Sequence, residues 1–205
     1  MLQVLTFPEP VASLAVRRSA RSKFSDDEYY WAFCMANPDL HIERSAEGDI
    51  MVAPPAGGES DYRNGEAFFE LKHWSRSDGT GKAFSPSVQY FLPDGSGLSP
   101  DASWVSTTSL ERLSKAERKK FLRLTPEFVI EVLSPTDRLK GARAKMELWI
   151  ANGVELGWLI DGDAQTVYVY RKGRPCKIRR HLKEITGEGS VAGFVLKLDA
   201  IWRGL

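Results

Sequence analysis

The sequence predicts a single α/β domain, and two observations lead to this prediction. Residues 125–161 follow a pattern typical of a buried strand, a turn, a helix and a second buried strand. The chain has 205 residues, enough for one well-packed core, and its 42% hydrophobic and 27% charged residues are ordinary for a globular protein. We therefore expect an N-terminal arm over residues 1–23 and one domain over residues 24–205.

Charge and cysteine content narrow the class of protein. The formal net charge is +1, so any basic surface for a nucleic acid must be local. Cys34 and Cys176 lie far apart without metal-ligand spacing, which favours a reduced, cytoplasmic setting over a disulfide framework. The sequence has no apolar run long enough to span a bilayer, and its start lacks the features of a signal peptide. We expect a cytoplasmic protein with no membrane partner.

The part of the chain that precedes residue 108 is predicted to contain two helices and four strands. A capping pattern starts the first helix, and helical spacing of apolar residues indicates the second. Glycine- and proline-rich turns separate the strands. The predicted helices cover residues 25–36 and 60–74, and the predicted strands cover residues 40–44, 49–53, 87–92 and 99–105.

The remaining part is predicted to begin with an amphipathic helix over residues 109–121. The buried strand from residue 128 and the helix after it come next, with Ala142, Met146 and Trp149 as an apolar stripe. A second buried strand ends at Asp161. Residues 166–171 and 176–182 then form a hairpin, and residues 193–196 precede a short terminal turn.

Glu131 and Lys145 are the first candidate site residues. Glu131 shares a strand face with Val129 and Leu133, so a carboxylate stands in a row that otherwise looks like core. An unpaired buried carboxylate is costly, and it usually shifts its pKa, forms an ion pair or binds a metal. Lys145 borders the apolar stripe that packs onto this strand. The two residues form either a structural ion pair or part of an active site.

Asp101 is the third candidate, because it follows Pro100 at the head of a short strand. Two carboxylates on neighbouring strands can hold a hard divalent cation such as Mg²⁺, and a nearby lysine can orient a water molecule or offset charge on a phosphate. A Pro-Asp pair alone is weak evidence, since two others in the chain occur at predicted turns. Asp101 alone is better explained as a residue that caps a turn.

Three blocks of sequence resemble the Uma2 family of restriction-endonuclease-like proteins, within the PD-(D/E)XK nuclease superfamily. The blocks are PAGGESDYRNGEAFFELKHW, LPDGSGLSPDASWV and PEFVIEVLSPTDRLKGARAKMELWIANGVELGWLID. The resemblance implies an α/β (α+β) fold with a restriction-endonuclease-like core, in which helices flank a mixed central β-sheet. It also implies phosphodiester hydrolysis that depends on Mg²⁺ or Mn²⁺.

The resemblance assigns roles by position. Asp101 matches the aspartate of the superfamily's Pro-Asp, and Glu131 matches its second acid. The superfamily's lysine stands two residues after that acid, where this chain has Leu133. The resemblance therefore suggests that Lys145 supplies the missing lysine. It further suggests the backbone carbonyl of Val132 and the side chain of Glu66 as metal ligands, although Glu66 is also what a solvated helix surface would carry.

The predicted function is a metal-dependent endonuclease, a hydrolase that acts on DNA. By analogy with related nucleases we expect a homodimer. Two alternatives remain: a non-catalytic module that binds a nucleic acid or another partner, and a phosphodiesterase for small nucleotides. For a nucleic-acid substrate, we expect basic residues around the cleft where Asp101, Glu131 and Lys145 meet. The candidates are Arg112, Lys115, Arg118, Lys119, Lys120, Arg171, Lys172 and Arg174.

Overall fold

The computed structural model describes residues 14–16 and residues 23–205, apart from Thr136. The predicted N-terminal arm, residues 1–23, lies outside the described residues except for Leu14–Val16 and Lys23. Within the described part of the chain, no helix combines the length and the apolar character needed to cross a membrane.

The described residues form five α-helices and thirteen strands. The helices are α1 (Asp27–Met35), α2 (Gly58–Asp78), α3 (Thr107–Glu111), α4 (Leu139–Ala151) and α5 (Asp199–Arg203). The strands are β1 (Leu14–Val16), β2 (His41–Arg44), β3 (Ile50–Ala53), β4 (Gly81–Phe84), β5 (Tyr90–Phe91), β6 (Gly97–Leu98), β7 (Ala102–Ser106), β8 (Phe128–Val132), β9 (Leu156–Asp161), β10 (Thr166–Arg171), β11 (Arg174–Arg180), β12 (Glu184–Thr186) and β13 (Val195–Lys197). Short 3-10 turns cover Lys23–Ser25, Glu117–Lys119 and Gly189–Val191.

A six-stranded sheet in the order β11-β10-β9-β8-β7-β4 forms the centre of the fold. Strands β8 and β9 are parallel and every other neighbouring pair is antiparallel, so the sheet is mixed. A parallel pair needs a crossover, and α4 supplies it. The predicted α/β fold with a mixed central sheet between helices is confirmed.

Helices α2 and α4 cover opposite faces of this sheet, and β8 is consequently buried on both sides. Ile130 and Val132 join the apolar cluster that contains Ala67 and Leu71 of α2. Val129 instead joins the cluster that contains Met146 and Trp149 of α4. The alternation along β8 therefore directs Glu131 toward α4, as the sequence predicted.

A second, antiparallel sheet has the strand order β1-β3-β2-β6-β5. It lies next to the start of β7, because Ser99 bonds to Glu43 of β2. This sheet contains the predicted hairpin of β2 and β3. Strands β12 and β13 form a separate two-stranded sheet.

The prediction of one amphipathic helix over residues 109–121 is wrong. Helix α3 ends at Glu111, and only the 3-10 turn Glu117–Lys119 follows. Ser114 explains the break: its N–H donates to Glu117 Oε2 at 2.8 Å, while its hydroxyl accepts from the Glu117 N–H at 3.2 Å. This reciprocal pair starts a new turn and competes with continuation of the helix.

Candidate active site

Glu131 is a buried carboxylate near the end of β8 and has protein donors on both oxygens. Its residue exposure is 8%. Oε1 accepts a hydrogen bond from the Trp149 indole N–H at 2.8 Å, and Oε2 accepts from the Lys145 ammonium at 3.3 Å. Oε1 also lies 3.0 Å from the Lys145 Nζ. The expected contact between Lys145 and Glu131 is therefore present.

Lys145 lies among oxygen atoms from three parts of the chain. Its Nζ is 3.0 Å from Glu43 Oε1 and 3.0 Å from Glu131 Oε1, and it donates to the Ser99 carbonyl at 3.0 Å. Burial alone would lower the pKa of Lys145, but the carboxylates of Glu131, Glu43 and Asp101 together raise that pKa above its usual value. The ammonium is therefore charged, and its side chain keeps 27% exposure to solvent.

Gly157 on β9 allows α4 to approach the sheet closely. A Cβ atom at this position would lie 2.4 Å from Met146 Cε and 3.3 Å from Val129 Cγ2. Separations under about 3.0 Å essentially never occur for real Cβ atoms, so a larger residue here would have to displace the flexible end of the Met146 side chain. Because Met146 is the neighbour of Lys145 in α4, the same close approach carries Lys145 to Glu131.

Asp101 precedes β7 and joins this strand to both α2 and β8. Its Oδ1 accepts from the Asn64 side-chain amide at 2.9 Å, and its Oδ2 accepts from the Val132 N–H at 2.7 Å. Ala102 pairs with Ile130 in the antiparallel register, so one further step places Asp101 opposite Glu131. The structure thus brings together the two acids and Lys145, which the sequence had predicted to meet.

Burial and like charge raise the pKa of both acids. Burial raises the pKa of Asp101 to about 6, against lowering effects of the Val132 N–H and of Lys145. Burial raises the pKa of Glu131 to about 8, and the carboxylates of Asp101 and Glu43 add to the rise, although Lys145 opposes it. Three carboxyl groups, those of Glu43, Asp101 and Glu131, thus surround one ammonium, so acidic groups outnumber the basic group at the site.

Sequence reasoning missed Glu43, Asn64 and Trp149. Glu43 is a half-buried residue in a strand that alternates in the ordinary way, so no local signal marked it. Asn64 could be read only as a polar helix residue. Trp149 did carry a signal, because an indole N–H can only donate and a buried indole usually finds an acceptor. Glu131 was the acceptor that the predicted strand offered.

Glu66 does not share the surroundings of Asn64, although both are on α2. About 200° around the helix axis separates two residues that are two positions apart, so their side chains do not face each other. Asn64 is the residue that contacts Asp101. Among the described residues, no hydrogen bond or ion pair joins Glu66 to the site, so its predicted role as a metal ligand gains no support.

The hairpin that contains Arg171, Lys172 and Arg174 lies at the wrong end of the sheet for the predicted role. Arg171 pairs with Leu156, and Leu156 pairs with Phe128, the first residue of β8. Glu131 lies near the other end of that strand. The expectation that this hairpin borders the site is therefore wrong. The error arose because the register between strands cannot be read from local sequence.

Two arginines of β11 lie at the same end of the sheet as Glu131. Arg180 pairs with Thr166, Thr166 pairs with Asp161, and Arg179 pairs with Val167. Strand β11 is an edge strand whose residues are mostly exposed. Of the basic residues after α3, Lys120 pairs with Glu28 of α1 and stacks on Trp31.

The donor set at the site suits a hard divalent cation. Asp101 and Glu131 supply carboxylate oxygens, which Mg²⁺ and Mn²⁺ prefer. A cation would also offset the repulsion and burial that raise both pKa values. No group of three or more histidine, cysteine, aspartate or glutamate residues in the described part of the chain could hold a metal ion by itself. Any cation would therefore need ligands beyond these side chains.

Comparisons with known proteins identify a family and a similar fold. The family model Uma2, described as "Putative restriction endonuclease", matches residues 27–199. The chain is also similar to the crystal structure of "a putative nuclease belonging to DUF820" from Anabaena variabilis ATCC 29413. The TM-score is 0.68 at 21% sequence identity, over 80% of this chain and 91% of that chain, a likeness that concerns the fold alone. No match to a curated protein was found.

Proposed function

The chain belongs to the Uma2 family, and from this premise we propose that it is a metal-dependent endonuclease that hydrolyses phosphodiester bonds in DNA. The observation that carries the proposal is the convergence of Glu131 and Lys145 with Asp101, three residues that come from separate elements. Both acids are buried and both have raised pKa values, an arrangement that active sites commonly use.

Each residue has a defined role in this proposal. The carboxylates of Asp101 and Glu131 and the backbone carbonyl of Val132 would hold Mg²⁺ or Mn²⁺. Such a cation supplies Lewis acidity, which polarises a phosphoryl oxygen and makes bound water more acidic. The Lys145 ammonium orients the attacking water and offsets the negative charge that grows on the phosphate. Glu66 is left out because, in the part of the chain that the structure describes, no hydrogen bond or ion pair joins it to the site.

Lys145 takes the place of the lysine that the superfamily pattern puts at Leu133. Leu133 packs into the apolar cluster beneath α4, and a leucine side chain can neither donate a hydrogen bond nor carry charge. The Lys145 ammonium reaches the same acid from the following helix.

Alanine variants of Lys145 and Glu131 test the proposal. Lys145→Ala should abolish Mg²⁺-dependent cleavage of duplex or single-stranded DNA and leave Mn²⁺ affinity largely intact, because the two acids remain. Glu131→Ala should remove Mn²⁺ binding as well. Lys140→Ala is the matched control, since Lys140 is an exposed lysine of the same helix. Full cleavage by Lys145→Ala would refute the role of this lysine.

A non-catalytic binding module is the second candidate, and one observation favours it. All four carboxylate oxygens of Asp101 and Glu131 already accept hydrogen bonds from protein groups, so each oxygen has a donor without a ligand. Duplex binding without cleavage in Mg²⁺ or Mn²⁺ would support this candidate. Hydrolysis of a cyclic nucleotide but not of DNA would instead indicate a phosphodiesterase for small substrates.

The DNA backbone is proposed to run past Arg179 and Arg180, which lie at the site end of β11. Phosphate contacts release counterions, so binding should weaken as salt rises, and Arg179→Glu should reduce the salt slope by about one.

We also propose a homodimer, by analogy with related nucleases, and a cytoplasmic location. Light scattering tests the dimer directly, and a monomer at micromolar concentration would contradict the proposed homodimer.

A further inference from the structure

Glu43 reaches the candidate active site from the five-stranded sheet, whereas Glu131 belongs to the six-stranded sheet. Its Oε1 accepts from the Ser99 N–H at 2.9 Å and lies 3.0 Å from the Lys145 Nζ. The Glu43 side chain is 16% exposed, so these contacts are shielded from bulk water. Glu43 is therefore the second carboxylate that holds the proposed catalytic lysine.

Ser99, Glu43 and Lys145 form a closed ring of polar contacts. The Ser99 N–H donates to Glu43, and the Ser99 carbonyl accepts from Lys145 at 3.0 Å. Ser99 stands two residues before Asp101, at the entry to β7. One glutamate thus restrains both the ammonium and the backbone segment that leads into the first acid.

The two glutamates share a single ammonium. Among the described residues, Glu43 and Glu131 are the carboxylates within ion-pair distance of Lys145. If Glu43 were absent, the ammonium would rest on Glu131 alone. It would then compete with a cation for that carboxylate, because both positive charges need the same oxygens.

We propose that Glu43 is a positioning residue of the active site: it draws the Lys145 ammonium partly away from Glu131 and fixes the segment that leads to Asp101. The expected effect of Glu43 on catalysis rests on the proposed nuclease function. The expected effect of Glu43 on cation binding does not require that function. A simpler role, in which Glu43 only joins the two sheets, would affect stability alone.

Kinetics of two Glu43 variants separate these roles. Glu43→Ala should lower kcat for DNA cleavage about 10–100-fold and change KM by less than about threefold, as expected for a residue behind the reacting groups. Glu43→Gln keeps an acceptor oxygen for Ser99 and Lys145, so it should retain more than about a tenth of wild-type kcat. Glu47→Ala, an exposed glutamate in the same hairpin, should match the wild type.

Mn²⁺ affinity, measured by electron paramagnetic resonance, gives a readout that needs no catalysis. Glu43→Ala should weaken Mn²⁺ binding about tenfold, because the ammonium then stays on Glu131. In the Lys145→Ala background the same change should weaken Mn²⁺ binding by about threefold or less, since the competing ammonium is gone. An equal loss in both backgrounds would show that Glu43 acts on the cation directly and would overturn the proposal.

The remaining outcomes distinguish this proposal from the proposed function. Normal kcat and normal Mn²⁺ affinity in a folded Glu43→Ala variant would remove the positioning role and leave the nuclease intact. The predicted changes in Mn²⁺ affinity without cleavage by the wild type would remove the nuclease and keep the positioning role. Absence of Mn²⁺ binding in the wild type would overturn both. If Glu43→Ala fails to fold, Glu43→Leu carries the same comparison, because leucine also removes the acceptor oxygens but fills more of the space of the glutamate side chain.

Discussion

The two faces of the six-stranded sheet differ in what they bury. On the face covered by α2, Phe128 packs against Trp158 with ring centroids 4.9 Å apart, and Trp158 stacks on Phe194 at 5.6 Å. On the face covered by α4, a carboxylate and an ammonium lie among apolar residues. Apolar packing stabilises a fold, whereas buried ion pairs seldom do. The difference indicates that the first face maintains the sheet, whereas the second contains the proposed active site.

The largest effect on stability should come from the apolar face. Phe128→Ala removes a fully buried ring and should lower the free energy of unfolding by about 3–5 kcal/mol, measured by urea denaturation. Phe69→Ala is the control, because its ring is 63% exposed and its loss should change stability by less than about 0.5 kcal/mol. A loss below about 1 kcal/mol for Phe128→Ala would contradict the division between the faces.

On the α4 face, the effect of Lys145→Ala should depend on pH. Burial raises the pKa of Glu131 to about 8, so the folded protein holds this proton more tightly than the unfolded chain. The stability due to that proton is present below the ordinary pKa and is lost as pH rises through about 8.

The Lys145 ammonium lowers the pKa of Glu131, so its removal raises that pKa further. The loss of stability at high pH is therefore larger in the variant. Lys145→Ala should therefore cost about 3 kcal/mol at pH 9 and clearly less at pH 6, where Glu131 can take up a proton. Denaturant titrations of both proteins at the two pH values check this. If the difference in unfolding free energy between the two proteins shrinks as pH rises, Lys145 does not stabilise the ionised form of Glu131.

Two buried tryptophans allow a matched comparison of the faces. Trp149→Phe removes the indole N–H that donates to Glu131 and should cost about 1.5–3 kcal/mol. Trp104 lies in the cluster beneath α2, and its indole N–H has no partner among the described residues. Trp104→Phe should therefore cost less than Trp149→Phe, because no hydrogen bond is lost. Equal values in urea denaturation would argue that the bond to Glu131 contributes nothing.

The smallest expected effect concerns Asn64. Asn64→Ala removes one hydrogen bond to Asp101 and should cost about 1 kcal/mol of unfolding free energy. Glu66→Ala, on another side of the same helix, should stay within about 0.5 kcal/mol. Comparison of their melting temperatures checks both values. A loss for Glu66→Ala as large as that for Asn64→Ala would contradict the difference between these two sides of α2.

Local patterns in the sequence predicted the centre of this fold well. The β8–α4–β9 unit followed from periodicity, since its strands and helix are consecutive and strongly apolar. The contact of Lys145 with Glu131 followed from helix geometry, because Lys145 borders the stripe that packs onto the strand. Both predictions needed only residues within one supersecondary unit.

Features that depend on distant parts of the chain could not be predicted in this way. Glu43 enters the site because two sheets meet, and no residue near it in sequence signals that meeting. The position of Arg171 depended on strand order and register, which local periodicity does not contain. The helix predicted for residues 109–121 failed because Ser114 offered its neighbours a competing hydrogen-bonded turn.

The contact of Glu43 with Ser99 across the two sheets has a consequence for folding kinetics. The complete group of carboxylates around Lys145 exists only after the sheets dock, because Glu43 comes from the second sheet. If docking follows the folding transition state, a cation that needs the whole group binds only after that state. Stopped-flow measurements with and without Mn²⁺ should show an unchanged refolding rate and slower unfolding. The cation would thus extend the lifetime of the native state without accelerating its formation.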